Sequence, residues 1–302
     1  MDDIEVHDLF ARDYYKIKKY FDMRDPGICD SMFIDNYIWR NYYDSKYFTT
    51  DKGLFWIYQL RGEYFTILPL CKPEDLPECF DFAVHYFNEV LGVKFKIYIA
   101  DEEGVNQLNL PSDRFKVEEE RDYFDYVYAG EALRTLRGKK LRKKKNHLNS
   151  FLNTYEGRYE YRHVCCEDRD AIVNFLNRWY DKKESDDIYN RLAAEYQGIM
   201  EVLEHCRELE YRMAAVYVDG VMEAFTLGSY SRTNDMVFIH VEKANPAIRG
   251  LYNYINKTFL EKEYPNVEFV NREDDMGLEG LRKAKMSYRP LYLAKKYSIT
   301  QR

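Results

Sequence analysis

The sequence predicts an α+β protein with mixed sheets, built as two halves that repeat one order of elements. Three observations lead there. Two β-rich runs, Tyr211–Val218 and Val221–Tyr230, meet at Asp219-Gly220, a dipeptide suited to the left-handed turn of a two-residue hairpin. Such runs alternate along the chain with segments whose apolar residues recur at helical spacing. The order strand, strand, strand, helix, strand, helix, strand appears once over residues 45–128 and again over 211–297, without any sequence period. At 302 residues and 46% hydrophobic content, the chain is long and apolar enough for two cores.

The first half opens with a helix over about 11–21, ended by Asp25-Pro26-Gly27. An aromatic helix over 32–43 follows. Strands are expected at 45–50, 54–60 and 64–70, split by turns at Gly53 and Gly62. The helix over 78–91 has Phe80, Ala83, Phe87 and Val90 on one face. A strand at 94–99, a short acidic helix at 102–108 and β-runs at 115–119 and 124–128 complete this half. Residues 131–157 read as a basic helical linker, kinked near Gly138 because glycine costs a helix ~1 kcal/mol. The second half runs from 158 to 302. A strand at 159–164 leads to two helices, 168–180 and 189–208, joined by an exposed acidic connection at 181–187. The hairpin follows, then a strand at 236–241, a helix over 247–262, a strand at 267–271, a helix over 277–286 and a last strand at 291–297.

Charge is uneven. The chain carries a net −7, yet Arg134–Lys145 holds eight basic residues and no acid. A basic patch of this kind on an acidic protein is an address for an anionic partner; its plain alternative is a solvated helix face. The overall charge argues against a general nucleic-acid binder. No run approaches the ~20 apolar residues of a membrane span, and the acidic start lacks a signal-peptide pattern. The sequence therefore reads as cytoplasmic, and its six cysteines as reduced thiols without metal-ligand spacing. Walker, H-E-x-x-H and G-x-S-x-G patterns are absent, so no metal and no tightly bound cofactor is expected.

The hairpin leading into a strand-loop-helix unit resembles the core of the GNAT acyltransferases. Gly138-Lys139-Lys140, Lys143-Lys144-Lys145-Asn146-His147, Asn271–Gly277 and Gly280–Pro290 resemble, more closely, a bacterial family related to the phosphatidylglycerol lysyltransferase C-terminal domain. That family is built as two GNAT-like units in tandem, as are the Fem-type peptidyltransferases. The resemblance implies two tandem GNAT-like acyltransferase domains. It also implies transfer of an acyl or aminoacyl group from a phosphate-bearing carrier, acyl-CoA or aminoacyl-tRNA, to an amine or hydroxyl. The helix pair 168–208 would cover the acceptor, with its acidic connection as a gate. The donor pyrophosphate would sit on the amides at the start of the helix after the third strand, here Asn245, Arg249 and Gly250, where the Gly-rich consensus is only partly present.

Transfer without a covalent intermediate needs a base, an oxyanion partner and a held donor. Candidate bases lie at strand ends facing the cleft: Glu242, Glu273 and Asp275. Tyr288 occupies a place resembling that of the GNAT tyrosine that protonates the leaving thiolate. Candidate anion-binding residues are Lys139, Lys140, Arg142, Lys143, Lys144, Lys145 and His147 on the basic segment, with Arg272, Lys283 and Lys285 around the second strand-loop-helix. His240 suits either cleft or core. Asp274 or Asp275 would equally serve as a helix cap. Two other classes stay open: a ligand-binding module that has kept the scaffold without turnover, and an RNA- or membrane-surface protein acting through residues 134–145. Peripheral contact with anionic lipid belongs to the last reading. Nothing in the sequence sets the oligomeric state.

Overall fold

A computed structural model describes residues 4–181 and 188–302, and the acidic connection expected to gate the cleft lies largely outside them. The fold is mixed α+β and divides into two compact units, residues 1–125 with 294–302, and residues 126–293.

In the first unit, strands β1 (His7–Asp8), β2 (Lys46–Thr49), β3 (Gly53–Leu60), β4 (Glu63–Ile67), β5 (Leu70–Cys71), β6 (Lys96–Asp101) and β7 (Phe115–Glu119) share one sheet. Helices α1 (Tyr14–Phe21), α2 (Phe33–Trp39), α3 (Leu76–His85) and α4 (Glu102–Leu108) accompany it. Phe80 and Ala83 of α3 pack on Phe55, Phe95 and Ile97 in the core.

The second unit holds strands β8 (Asp125–Ala129), β9 (Tyr159–Val164), β10 (Arg212–Val218), β11 (Val221–Ser231), β12 (Met236–Ala244), β13 (Phe269–Asn271) and β14 (Tyr292–Ala294). Their order is β14-β8-β13-β12-β11-β10-β9. Helices are α5 (Gly130–Thr135), α6 (Arg142–Thr154), α7 (Arg169–Tyr180), α8 (Ile188–Glu204), α9 (Leu251–Glu263) and α10 (Glu279–Met286). The hairpin at Asp219-Gly220 forms, with φ of 52° and 80° at its two turn residues. The apolar stripe of α9, with Leu251, Ile255, Phe259 and Leu260 buried, covers one face of the sheet.

Four expectations need correction. The last strand is not one element of the second half. It breaks after Ala294, and a further strand, β15 (Lys296–Gln301), enters the first sheet between β6 and β7. Its Lys296 is fully buried and pairs with Asp125 at 2.7 Å and Asp30 at 2.5 Å. Conversely β8, expected to close the first half, pairs with β13 in the second sheet. Both runs are β-formers; alternation marks a strand but not the sheet it joins. The segment 131–157 is no free linker either, because α5 and α6 lie within the second unit and pack against α9. Finally, the cysteines are not all thiols: Cys166 and Cys206, forty residues apart, are joined by a disulfide at the start of α7 and just after α8. The adjacent Cys165 stays free and exposed. No helix among the described residues is long and apolar enough to cross a membrane.

Candidate functional site

The site is set by a parting of two parallel strands. β12 and β13 pair from Met236–Phe269 to Phe238–Asn271, and there the pairing ends, while β12 runs on to Ala244. A β-bulge follows at once: Gly228 faces Ile239 and Leu227 faces Val241, so His240 is an extra residue. A bulge shifts the alternation of side chains by one. Ile239 packs with Phe259 and Leu260 of α9, and Glu242 also turns to α9, accepting 2.7 Å from the Asn256 amide. His240 turns the other way, to Ser229. The two acids and the histidine at this parting are thereby sorted between the two faces of the sheet.

On the α9 face, the Arg272 guanidinium bridges the parted strands to Glu242 at 2.8 Å. Its second terminal nitrogen, Nη1, is buried without a hydrogen-bond partner, as is Asn256 Oδ1. Arg272 lies 4.8 Å from the ring centroid of Tyr288, and the Lys144 ammonium lies 4.2 Å from the same centroid. Tyr288 is buried and its hydroxyl accepts from the Asn253 amide. Burial pushes its phenol up to about 12, with Arg272 opposing and Glu242 adding, so it is neutral at physiological pH. Burial, then the charges of Arg272 and Lys143, push Lys144 down to about 8. Among the described residues Lys144 has no acidic partner. This face therefore offers two cations against one carboxylate and suits an oxyanion.

The other face holds a hydrogen-bonded line. His240 Nδ1 lies 2.9 Å from Glu273 Oε1, and its Nε2 lies 2.7 Å from Ser229 Oγ. The His240 side chain is only 1% exposed, Glu273 22%.

The loop carrying Arg272 and Glu273 is rigidly built. Glu273 adopts a left-handed φ of 57°, uncommon for a non-glycine residue and costing on the order of 1–3 kcal/mol. Three residues hold it there. Asn271 Oδ1 accepts from its backbone amide at 2.7 Å, the Lys285 ammonium donates to the carbonyls of Arg272 and Asp274, and Tyr126 N donates to the Glu273 carbonyl. Asp275 is fully buried. It accepts two bonds from Arg282 at 2.9 and 2.8 Å, one from the Gly277 amide and one from Tyr126 Oη. Burial pushes its carboxyl up, but these donors outweigh it and hold it at about 2. Asp275 and Lys285 thus brace the loop, and neither presents a group to a substrate.

The remaining candidates fall apart into local roles. Asn245 is tied to Glu223 at 2.9 Å and to the amide of Ala247. Arg249 is exposed and donates to His147 Nδ1 at 3.4 Å. Burial, with Arg249 and Lys144 beside it, lowers the His147 pKa. Gly250, at φ 86°, caps α9, and a Cβ there would meet the His147 carbonyl oxygen at 2.1 Å. The surface of Gly250 is thus taken by the α6 backbone. Lys139, Lys140, Arg142, Lys143 and Lys145 are exposed around α6, and Lys283 pairs with Glu279 within α10. The basic segment delivers one side chain, Lys144, into the site. Sequence reasoning missed Ser229, Asn253 and Asn256. The latter two are polar residues on the buried side of α9, and that interruption was the available signal.

The same architecture is found in known proteins. The family model for the C-terminal region of phosphatidylglycerol lysyltransferase matches residues 28–300. A conserved protein of unknown function from Bacteroides thetaiotaomicron superposes with a TM-score of 0.89 at 27% identity, covering 99% of this chain and 100% of that one. L-PGS from Bacillus licheniformis superposes at 0.67 with 11% identity over 95% and 91% of the two chains. A tandem GNAT protein of the clavulanic acid biosynthesis pathway superposes at 0.50 with 9% identity over 99% and 98%. The fold is a tandem of GNAT-like units, and the chain belongs to the phosphatidylglycerol lysyltransferase C-terminal family.

Proposed function

We propose that this protein is an aminoacyltransferase that moves an aminoacyl group from aminoacyl-tRNA to an amine or hydroxyl acceptor by general-base catalysis. One observation carries the choice of tRNA over acyl-CoA: the His147 carbonyl covers Gly250, at the place where a CoA pyrophosphate would be held. Basic helix α6 stands there instead and directs Lys144 toward Tyr288, beside Arg272. The family's lysyl-transfer chemistry supports the same reading.

The donor enters on the α9 face, where Lys144 and Arg272 hold its phosphate and carbonyl oxygens. The acceptor lies on the other face, beside Glu273. Glu273 takes the proton of the acceptor N–H or O–H. The freed lone pair attacks the ester carbonyl, the bond to the tRNA 3′ oxygen breaks, and the Tyr288 phenol protonates that oxygen. Arg272 and Glu273 are consecutive at the end of β13, so one rigid loop serves both substrates.

Equilibrium binding of a mixed aminoacyl-tRNA pool and of acetyl-CoA, each at low and moderate salt, tests this. Tight, salt-sensitive tRNA binding that excess CoA does not displace is expected, together with consumption of the aminoacyl ester when ethanolamine is supplied. E273Q should bind tRNA normally and lose turnover. Preferential CoA binding would replace tRNA with an acyl-CoA donor. Tight tRNA binding without turnover on any acceptor would leave a binding module.

A further inference from the structure

The line Ser229–His240–Glu273 has a wiring that the transfer reaction does not by itself require. Glu273, as a carboxylate, only accepts, so the proton shared with His240 belongs to Nδ1. In the neutral imidazole Nε2 is then the lone-pair nitrogen, and the hydroxyl 2.7 Å away donates to it. This is the order of a serine–histidine–acid triad. Ser229 is 2% exposed within β11, however, so it is no nucleophile. The bulge that sets His240 apart from Glu242, and the left-handed backbone that turns Glu273 toward it, both serve to complete this line.

We infer that Ser229 is a positioning residue. By donating to Nε2 it reinforces the Nδ1-protonated imidazole that Glu273 selects, and through that ring it holds Glu273 correctly aimed. The inference rests on the reading of Glu273 as the base. Without Ser229, the buried Nε2 lone pair loses its donor, and moving the proton to Nε2 in part of the molecules relieves that cost. The bare Nδ1 would then face the Glu273 carboxylate lone pair to lone pair, and the carboxylate would swing away or take up a proton.

The test uses full-length protein labelled with 15N-histidine, in which nitrogen chemical shifts report the tautomer of His240, assigned with H240Q. Wild type should show Nδ1–H at neutral pH. S229A should show a mixture, with kcat for aminoacyl-tRNA and ethanolamine down about 10- to 100-fold at unchanged KM for the tRNA. S229T, which keeps the hydroxyl, should restore both. A wild-type proton on Nε2, a tautomer unmoved in S229A, or unchanged kcat in S229A alongside an active wild type would each overturn the inference. The predicted tautomer shift without turnover by wild type supports the wiring and sinks the transferase reading instead.

Discussion

Replacing Asp275 by Asn tests whether the loop carrying Arg272 and Glu273 is braced as described. The substitution keeps the shape, and the amide oxygen can still accept from Gly277 N, while the amide nitrogen takes the place of the oxygen that accepts from Tyr126 Oη. It removes the charge that Arg282 chelates through two bonds. The carboxyl moves from an ordinary 3.8 to about 2 on folding, which corresponds to ~2.5 kcal/mol at neutral pH. The folded pKa is depressed, so this contribution is fully present above about pH 4 and is lost as pH falls toward 2. Roughly half of it remains at pH 3. Urea unfolding of wild type and D275N at pH 7 and pH 3, at constant m-value, should show a gap of about 2–3 kcal/mol that halves at the lower pH. Turnover should fall with stability, because Glu273 loses its frame. A gap under about 0.5 kcal/mol at pH 7 would refute the brace, and a gap independent of pH would refute its charge.

Gly250→Ala places a Cβ into the His147 carbonyl and forces alanine into a left-handed φ; a loss of about 3 kcal/mol or more in urea unfolding is expected, with weaker tRNA binding as α6 is displaced. Lys144 loses its charge as pH passes about 8, so donor affinity should fall between pH 7 and 9, and K144M should bind weakly with no such dependence. Because the folded pKa of Lys144 is depressed, the unligated protein gains stability from this group as pH rises from about 8 to 10.5, a trend opposite to that of binding. The Cys166–Cys206 bond closes a loop of forty residues. C206S, or reduction of the wild type, should cost about 2–4 kcal/mol in chemical unfolding.

The local signals in the sequence translated well into elements. Asp219-Gly220 gave its hairpin, and the acidic helix 102–108 and the strands 115–119 and 159–164 appear at their expected bounds. What one-dimensional pattern could not reach was pairing across long separations. Nothing in Lys296–Gln301 says that its neighbours are β6 and β7, and nothing in Cys166 names Cys206. At the site, chain order placed Glu242, Arg272, Glu273 and Asp275 near one strand end, because strand ends in this topology converge. Their roles depend on which face each side chain takes. That was decided by a one-residue bulge at His240, which alternation alone does not reveal. Asp275 and Lys285 looked like chemistry and serve as braces. Helical spacing sets Lys144 on one face of its run with Lys140 and His147, and the packing of α6 on Gly250 selects Lys144 among them.

The entry of β15 between β6 and β7 has a consequence for biosynthesis. Among the described residues, β7 joins the rest of the first sheet only through β15, whose partners in β6 lie about two hundred residues earlier in the chain. While the ribosome makes the entire second unit, β7 has no neighbour, β6 has an open edge, and the acids Asp30 and Asp125 await Lys296. Closure of that sheet has to wait until β15 has been made, and pairings so distant in sequence form slowly. Nascent chains stalled before residue 296 would expose two strand edges, the form of this protein most prone to adhere to other copies and most dependent on a chaperone.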